Sequence, residues 1–146
     1  MKEKKLNILF LCTGNSCRSQ MAEGFAKNHS AYSKVHEFFS AGTKQHGMNQ
    51  RAVAVMSESG VDISDQYSKT LEELSDVNFD IVFAVCSDAE KNCPALPGVK
   101  IIPKKFDDPP RLTKHLNDEQ LILTEYRRVR DEIREFIEDL DSYINA

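Results

Sequence analysis

Short apolar runs and longer amphipathic stretches alternate along the chain. Residues 6–11 and 79–85 are almost continuously apolar, which is typical of strands that are buried on both faces of a sheet. Residues 37–41, which end at Gly42, and residues 99–102 are shorter apolar runs. The pattern therefore predicts four short strands.

Three stretches between and after these runs have helical spacing. Residues 19–27 predict a helix with Ser19 as its N-cap and Glu23 in the first turn, and residues 49–59 predict one that begins at Asn49 and ends at Gly60. Residues 118–144 predict one long amphipathic helix, because apolar side chains recur every three or four positions. The charged run within it is expected to be a solvated face.

Strands that alternate with helices indicate a small doubly wound α/β fold. We expect a single domain over residues 1–146, with a mainly parallel four-stranded sheet flanked by helices on both faces. In such folds the functional site lies at the carboxyl ends of the strands.

Composition narrows the class further. A chain of 146 residues with 40% hydrophobic content is long enough for one well-packed domain, and a net charge of −4 argues against a general nucleic-acid binder. No apolar run approaches the ~18 residues of a membrane span, and the first apolar stretch is too short for a signal peptide. We expect a cytoplasmic monomer, in which four cysteines serve chemistry rather than structural disulfides.

The loop after the first strand has the composition of an oxyanion site. Gly14 and Asn15 readily take positive φ. A turn built from such residues aims successive backbone N–H groups into one concavity. Arg18 has a planar fork that grips two oxygens of an anion, and the next helix adds its dipole. The predicted oxyanion-binding residues are Thr13, Gly14, Asn15, Ser16, Cys17, Arg18 and Ser19.

Cys12 stands at the start of this loop. The positive field of the loop favours its thiolate, and Ser19 could donate a hydrogen bond to the sulfur. The alternative is that Cys12 is merely a small buried apolar residue. For Cys17, we expect a packing or spacer role.

A second cysteine pair, Cys86 and Cys93, follows the other buried strand. Seven positions along a helix span roughly 10.5 Å, whereas a disulfide needs Cα atoms about 4.4–6.8 Å apart. If the segment is helical, the two cysteines bond only when it unwinds, which suits a redox switch. Two unrelated thiols and a zinc site remain alternatives, although the spacing is unusual for zinc.

Two segments resemble a known family. Residues 12–24, CTGNSCRSQMAEG, resemble the signature of the low-molecular-weight phosphatase fold, which includes tyrosine phosphatases and thioredoxin-coupled arsenate reductases. Gln20 follows Ser19 where the phosphatases usually have proline, and residues 86–97, CSDAEKNCPALP, are similar to the reductases. The resemblance extends from Asn7 to about Phe136.

The resemblance implies a phosphatase-type anion loop and the reduction of arsenate to arsenite, with phosphate and sulfate as competing anions. Its implied catalytic residues are Cys12, Cys86, Cys93, Arg18 and Asp108. The three cysteines would form a thiol–disulfide relay that ends in a Cys86–Cys93 disulfide, reduced by thioredoxin or a similar thiol reductant. Asp108, directly before a proline, would be the general acid. No metal, organic cofactor, nucleic acid or membrane is implied.

Both the role of the Asp107-Asp108-Pro109 segment and the activity of the protein have alternative interpretations. Asp-Asp-Pro is by itself a common turn signal, and Asp107 is expected to be a solvated neighbour of Asp108. A low-molecular-weight tyrosine phosphatase is the alternative function, and a non-catalytic anion-binding or thiol-sensing module is a more remote one. A phosphatase would need no thiol reductant.

Lys69 departs from the pattern of the resembling family. Some of its reductases bind potassium behind the anion loop, through residues that match Asn15, Glu23 and Ser40. Lys69 takes the place of an acidic ligand, so its ammonium could lie where the ion would be. The alternative is an exposed lysine on a surface turn.

Overall fold

The computed structural model of the protein describes residues 5–86 and 96–145. Its centre is a sheet of the strands β1 (Asn7–Cys12), β2 (Glu37–Gly42), β3 (Ile81–Ala84) and β4 (Lys100–Pro103). All neighbouring strands are parallel, and their order in the sheet is β2-β1-β3-β4. The four predicted strands and the parallel sheet are therefore confirmed, with β3 shorter than its apolar run.

Helices follow the strands in the described residues. They are α1 (Arg18–Asn28), α2 (Ser30–Ser33), α3 (Gln50–Glu58), α4 (Pro109–Thr113), α5 (Glu119–Glu138) and α6 (Leu140–Ile144), with a 3-10 helix at Leu71–Leu74. Within residues 5–86 and 96–145, no helix has the length and apolar character needed to span a bilayer.

The core lies around β1. Every residue of this strand after Asn7 is buried, so both faces of the sheet are covered at its centre. Phe10 stacks on Phe83 of the neighbouring strand, and both rings meet the edge of Phe136 from α5. Because parallel neighbours hold β1 on both sides, its carboxyl end is a rigid support for the loop that follows.

The cap of α3 is confirmed, whereas the cap predicted for the first helix is wrong. Asn49 accepts hydrogen bonds from the two backbone amides at positions 51 and 52, and Gly60 takes φ +88° after the helix. Helix α1 begins at Arg18, after Cys17, so Ser19 lies inside the helix and Glu23 beyond its first turn. The hydroxyl of Ser19 is committed to a contact at the anion loop instead.

The long C-terminal helix is interrupted once. Asp139 separates α5 from α6, and its backbone amide still bonds to carbonyl oxygens of α5. Leu140 remains buried, so the predicted apolar face continues past the break. The charged run is only partly a solvated face, because the guanidinium of Arg130 is 12% exposed and donates to the carbonyl oxygen of Val55 at 2.9 Å.

Candidate active site

The two neighbouring strands β1 and β3 bring two cysteines to one edge of the sheet. Cys12 is the last residue of β1, and the amide of Val85, just after β3, donates to the carbonyl oxygen of Leu11 at 2.9 Å. This register places Cys86 beside Thr13, with 3.4 Å between the Cys86 Sγ and the Thr13 Oγ1. Both cysteines are buried thiols.

Three carbonyl oxygens of the anion loop, residues 12–19, are bonded by a neighbouring segment. Three backbone amides of segment 43–49 donate to this loop: Lys44 to Thr13 (2.9 Å), His46 to Gly14 (3.1 Å) and Asn49 to Ser16 (3.0 Å). These bonds turn the three carbonyl oxygens toward segment 43–49 and hold the loop directly before α1. Converging N–H groups at a helix N-terminus favour a tetrahedral oxyanion.

Gly14 serves the loop in a different way from the one predicted. Asn15 has the expected positive φ, at 49°, but Gly14 is not among the glycines with positive φ in the described residues. A Cβ on Gly14 would lie 2.3 Å from the Nδ1 of His46. A side chain at this position would displace the exposed His46 side chain, so Gly14 makes room for that contact and is not required by a positive φ.

A directed chain of hydrogen bonds ends at the Cys12 sulfur. The Oδ1 of Asn15 accepts from the Nε2 of Gln20 at 2.8 Å and from the amide of Lys69 at 2.9 Å. Its Nδ2 therefore faces Ser19, whose Oγ accepts at 2.8 Å. The Ser19 Oγ is 2.9 Å from the Cys12 Sγ, and either atom can be the donor. When the sulfur carries no proton, the Ser19 hydroxyl is the donor of this bond.

Cys17 fits the predicted packing role. Its side chain is buried, and burial raises the pKa of its thiol, with the nearby Cys12 acting in the same direction and Arg18 against it. A thiol with a raised pKa is a poor nucleophile near neutral pH.

Arg18 and Asp108 lie on the same side of the anion loop. The Arg18 guanidinium is 12% exposed, donates to the carbonyl oxygen of Phe106 at 3.0 Å, and has its Nη2 3.7 Å from an Asp108 carboxylate oxygen. Asp108 has the extended backbone that a following proline favours, with φ −96° and ψ 102°. A guanidinium and a carboxyl group are thus next to each other at the anion loop.

Asp107 is the solvated neighbour that the sequence predicts, with a side chain that is 59% exposed. Its carboxylate also forms an ion pair, 3.0 Å from the Nη2 of Arg128 in α5. The consecutive aspartates therefore contact different arginines, and Asp108 is the one that faces the anion loop.

Lys69 is buried behind the anion loop, so the exposed alternative is wrong. Its Nζ donates to the carbonyl oxygens of Tyr67 (3.0 Å) and Ser40 (3.1 Å) and lies 3.8 Å from the Glu23 carboxylate. Burial lowers the pKa of Lys69, while Glu23 counteracts this effect. Because the ammonium already occupies these oxygens, the residues do not fit an additional potassium ion.

One predicted site residue falls outside the described part of the chain. Cys93 lies outside the described residues, so the Cys86–Cys93 pairing stays a prediction. Within residues 5–86 and 96–145, no group of histidine, cysteine, aspartate and glutamate side chains is arranged to hold a metal ion.

Sequence reasoning missed the contribution of segment 43–49. This stretch is polar and has no periodicity, and its backbone bonds to the anion loop depend on the neighbouring strands. The available signal was Gly42, which ends β2 at the same edge of the sheet as Cys12. A Cβ there would lie 2.6 Å from the carbonyl oxygen of Thr13, so only glycine allows the chain to pass this close.

Comparisons with known proteins agree with this geometry. The family model described as low molecular weight phosphotyrosine protein phosphatase matches residues 7–146. An arsenate reductase of Staphylococcus aureus (strain Newman) is 43% identical over 139 residues, which cover 94% of this chain and 98% of the relative.

Two solved structures have the same fold. One is described as an arsenate reductase in the phosphate binding state, with a TM-score of 0.73, 31% identity, and coverage of 97% of this chain and 99% of the other. The other is a low molecular weight protein tyrosine phosphatase from T. tengcongensis, with a TM-score of 0.74, 28% identity, and coverage of 94% and 99%. The fold alone therefore accommodates both activities, and the side chains must distinguish between them.

Proposed function

Because the chain belongs to the low molecular weight phosphotyrosine protein phosphatase family, we propose that it uses that fold to reduce arsenate to arsenite. One observation carries the proposal: Cys12 ends β1 and a second buried thiol, Cys86, lies two residues after the neighbouring strand β3, at one edge of the sheet beside an oxyanion loop. Hydrolysis of a phosphate ester needs only the first thiol, whereas reduction needs a further one. The sequence similarity to arsenate reductases supports the same choice.

The first step binds and activates arsenate. In the proposed complex, backbone amides of residues 13–19 hold oxygens of the anion, and Arg18 binds two of them. The Cys12 thiolate, stabilised by Ser19, attacks arsenic and forms a sulfur–arsenic bond. Asp108 donates a proton to the departing oxygen, which leaves as water or hydroxide.

The second step transfers the electrons. The Cys86 sulfur attacks the Cys12 sulfur, forming a Cys12–Cys86 disulfide. The electron pair of the broken sulfur–arsenic bond stays on arsenic, which is reduced from As(V) to As(III) and leaves as arsenite. Two thiols thus supply two electrons.

The last steps regenerate the nucleophile. Cys93 attacks Cys86, which frees the Cys12 thiolate and leaves a Cys86–Cys93 disulfide. A dithiol reductant such as thioredoxin then reduces this disulfide by thiol–disulfide exchange. We place the reaction in a cytoplasmic, monomeric protein, consistent with the reductant that it needs.

Coupled turnover tests the proposal. Arsenate-dependent oxidation of NADPH is followed with thioredoxin and thioredoxin reductase, and each component is omitted in turn. We expect turnover only with all components present, competitive inhibition by phosphate or sulfate, and loss of turnover in Cys86→Ser. Rapid hydrolysis of an aryl phosphate without any reductant, together with no arsenate turnover, would identify a tyrosine phosphatase instead.

A further inference from the structure

Two consecutive aspartates point in opposite directions above the anion loop. Asp108 has an extended backbone, and successive side chains of an extended chain lie on opposite sides. The Asp107 carboxylate contacts Arg128 on α5, while the Asp108 carboxylate faces Arg18 in the anion loop. When the Asp107 side chain is held on the side of α5, the Asp108 side chain is therefore directed to the side of the anion loop.

Arg128 is itself held in place on the helix. Its guanidinium donates to Glu125 at 2.9 Å, one turn before it, and to Glu132 at 2.7 Å, one turn after it. These two carboxylates orient the planar group so that one Nη2 hydrogen is presented to Asp107. The arginine is thus arranged before Asp107 binds to it.

The backbone beside these aspartates is fixed by other contacts. The amide of Phe106 donates to the carbonyl oxygen of Val85 at 3.1 Å, and the carbonyl oxygen of Phe106 accepts from Arg18. The amide of Leu112 donates to the carbonyl oxygen of Asp108 at 3.0 Å, so the chain is anchored on both sides of the peptide that joins the two aspartates. The contact between Asp107 and Arg128 adds a further anchor, at the Asp107 side chain.

We propose that Arg128 and Asp107 are positioning residues for the general acid: together they aim the Asp108 carboxyl group at the anion bound by Arg18. This inference rests on the role given to Asp108 in the proposed function. It also explains why only one of two adjacent carboxylates faces the bound anion, which would be repelled by a second negative charge. Neither Asp107 nor Arg128 touches the substrate.

Arsenate turnover by variants tests the inference. Arg128→Gln and Asp107→Asn should each lower kcat about tenfold, a part of the ~10²–10⁴-fold that general acid catalysis supplies, and leave KM within about twofold. Exposed ion pairs contribute little to stability, so both variants should unfold like the wild type. Arg127→Gln is the matched control, because Arg127 lies on the same helix but binds Glu58. Its kcat should not change.

A double-mutant cycle tests whether Arg128 acts on kcat through Asp108. In an Asp108→Asn background, Arg128→Gln should cause no further loss of kcat, because the group that it positions is already absent. The same tenfold loss in that background, or an unchanged kcat in Arg128→Gln alone, would overturn the inference. Crystal structures of the wild type and Arg128→Gln measure the placement directly. A carboxylate of Asp108 that still faces Arg18 in the variant refutes the inference even if the protein does not reduce arsenate.

Discussion

The Oγ of Ser19 lies 2.9 Å from the Sγ of Cys12 and accepts a hydrogen bond from Asn15, so the Ser19 hydroxyl is placed to donate to a Cys12 thiolate. Asn15 cannot turn its amide around, because its Oδ1 is bonded by Gln20 and by the amide of Lys69. The direction of the bond from Asn15 to Ser19 thus follows from the bonds that Asn15 accepts. The residues around the nucleophile come from two parts of the sequence, residues 12–20 and Lys69.

Removing this hydroxyl tests its effect on the nucleophile. We expect Ser19→Ala to slow alkylation of Cys12 by iodoacetamide at pH 7 by about tenfold, since a hydrogen bond to a charged group contributes about 1.5–3 kcal/mol. The rate is measured with Cys17 and Cys86 identified separately by peptide mass spectrometry. Ser59→Ala, at the end of α3, is the control and should react like the wild type. An unchanged rate in Ser19→Ala would contradict the assigned direction of the bond.

The two-oxygen grip of Arg18 predicts a strong effect of a charge-conserving change. Arg18→Lys should lower kcat/KM about tenfold or more for arsenate and, equally, for a slowly hydrolysed aryl phosphate, because an ammonium cannot make the paired contact. Steady-state kinetics with both substrates measures this. Wild-type values of KM and kcat in the variant would show that Arg18 does not hold the anion.

Much of the fold was predictable because its signals are local. The apolar runs of β1 and β3 and the cap at Asn49 depend on neighbouring residues only, and the structure has them where the sequence places them. The prediction that Ser19 caps a helix was wrong, because the helix begins at Arg18 and the Ser19 hydroxyl contacts Cys12 instead. The turn of the loop brings these two residues together.

Within the candidate site, too, local features were predictable from the sequence and contacts between distant segments were not. The residues of the anion loop are adjacent in sequence, so their composition was informative. The backbone bonds from segment 43–49 come from a polar stretch that has no pattern of its own, and they form only after β2 pairs with β1. The partner of Asp107 lies 21 positions away on α5, beyond any local signal.

From the buried ammonium of Lys69, we expect that the protein does not respond specifically to potassium. Because its ammonium binds the oxygens of Ser40 and Tyr67 beside Glu23, the wild-type protein should have the same Tm and kcat/KM in potassium as in sodium at equal ionic strength. Lys69→Ala should lose about 2 kcal/mol of stability, the value of charged hydrogen bonds that lose one partner, and should become more stable on addition of potassium. Thermal unfolding in the two salts measures both effects.

The control for this prediction is Lys27→Ala. Lys27 also pairs with Glu23, but its side chain is half exposed, so its loss should cost little and should not create a response to potassium. A specific rise in the wild-type Tm or kcat/KM with potassium would refute the idea that Lys69 acts as a built-in cation.

The relay predicts different products for each cysteine variant. Cys12→Ser should abolish arsenate reduction, because its hydroxyl is not ionised near neutral pH. Cys93→Ser should trap a Cys12–Cys86 disulfide, and Cys17→Ser should keep most of the activity. Turnover and non-reducing peptide maps of each variant separate these outcomes.

The most direct test of arsenate reduction by a cysteine relay is the disulfide formed in a single turnover. Fully reduced wild-type protein is mixed with arsenate without thioredoxin, quenched with an alkylating agent and mapped by mass spectrometry, with phosphate in place of arsenate as the control. The account predicts one arsenite released per protein, a Cys86–Cys93 disulfide, and no disulfide with phosphate. A Cys12–Cys17 disulfide, or arsenate left unreduced by the fully reduced protein, would contradict it.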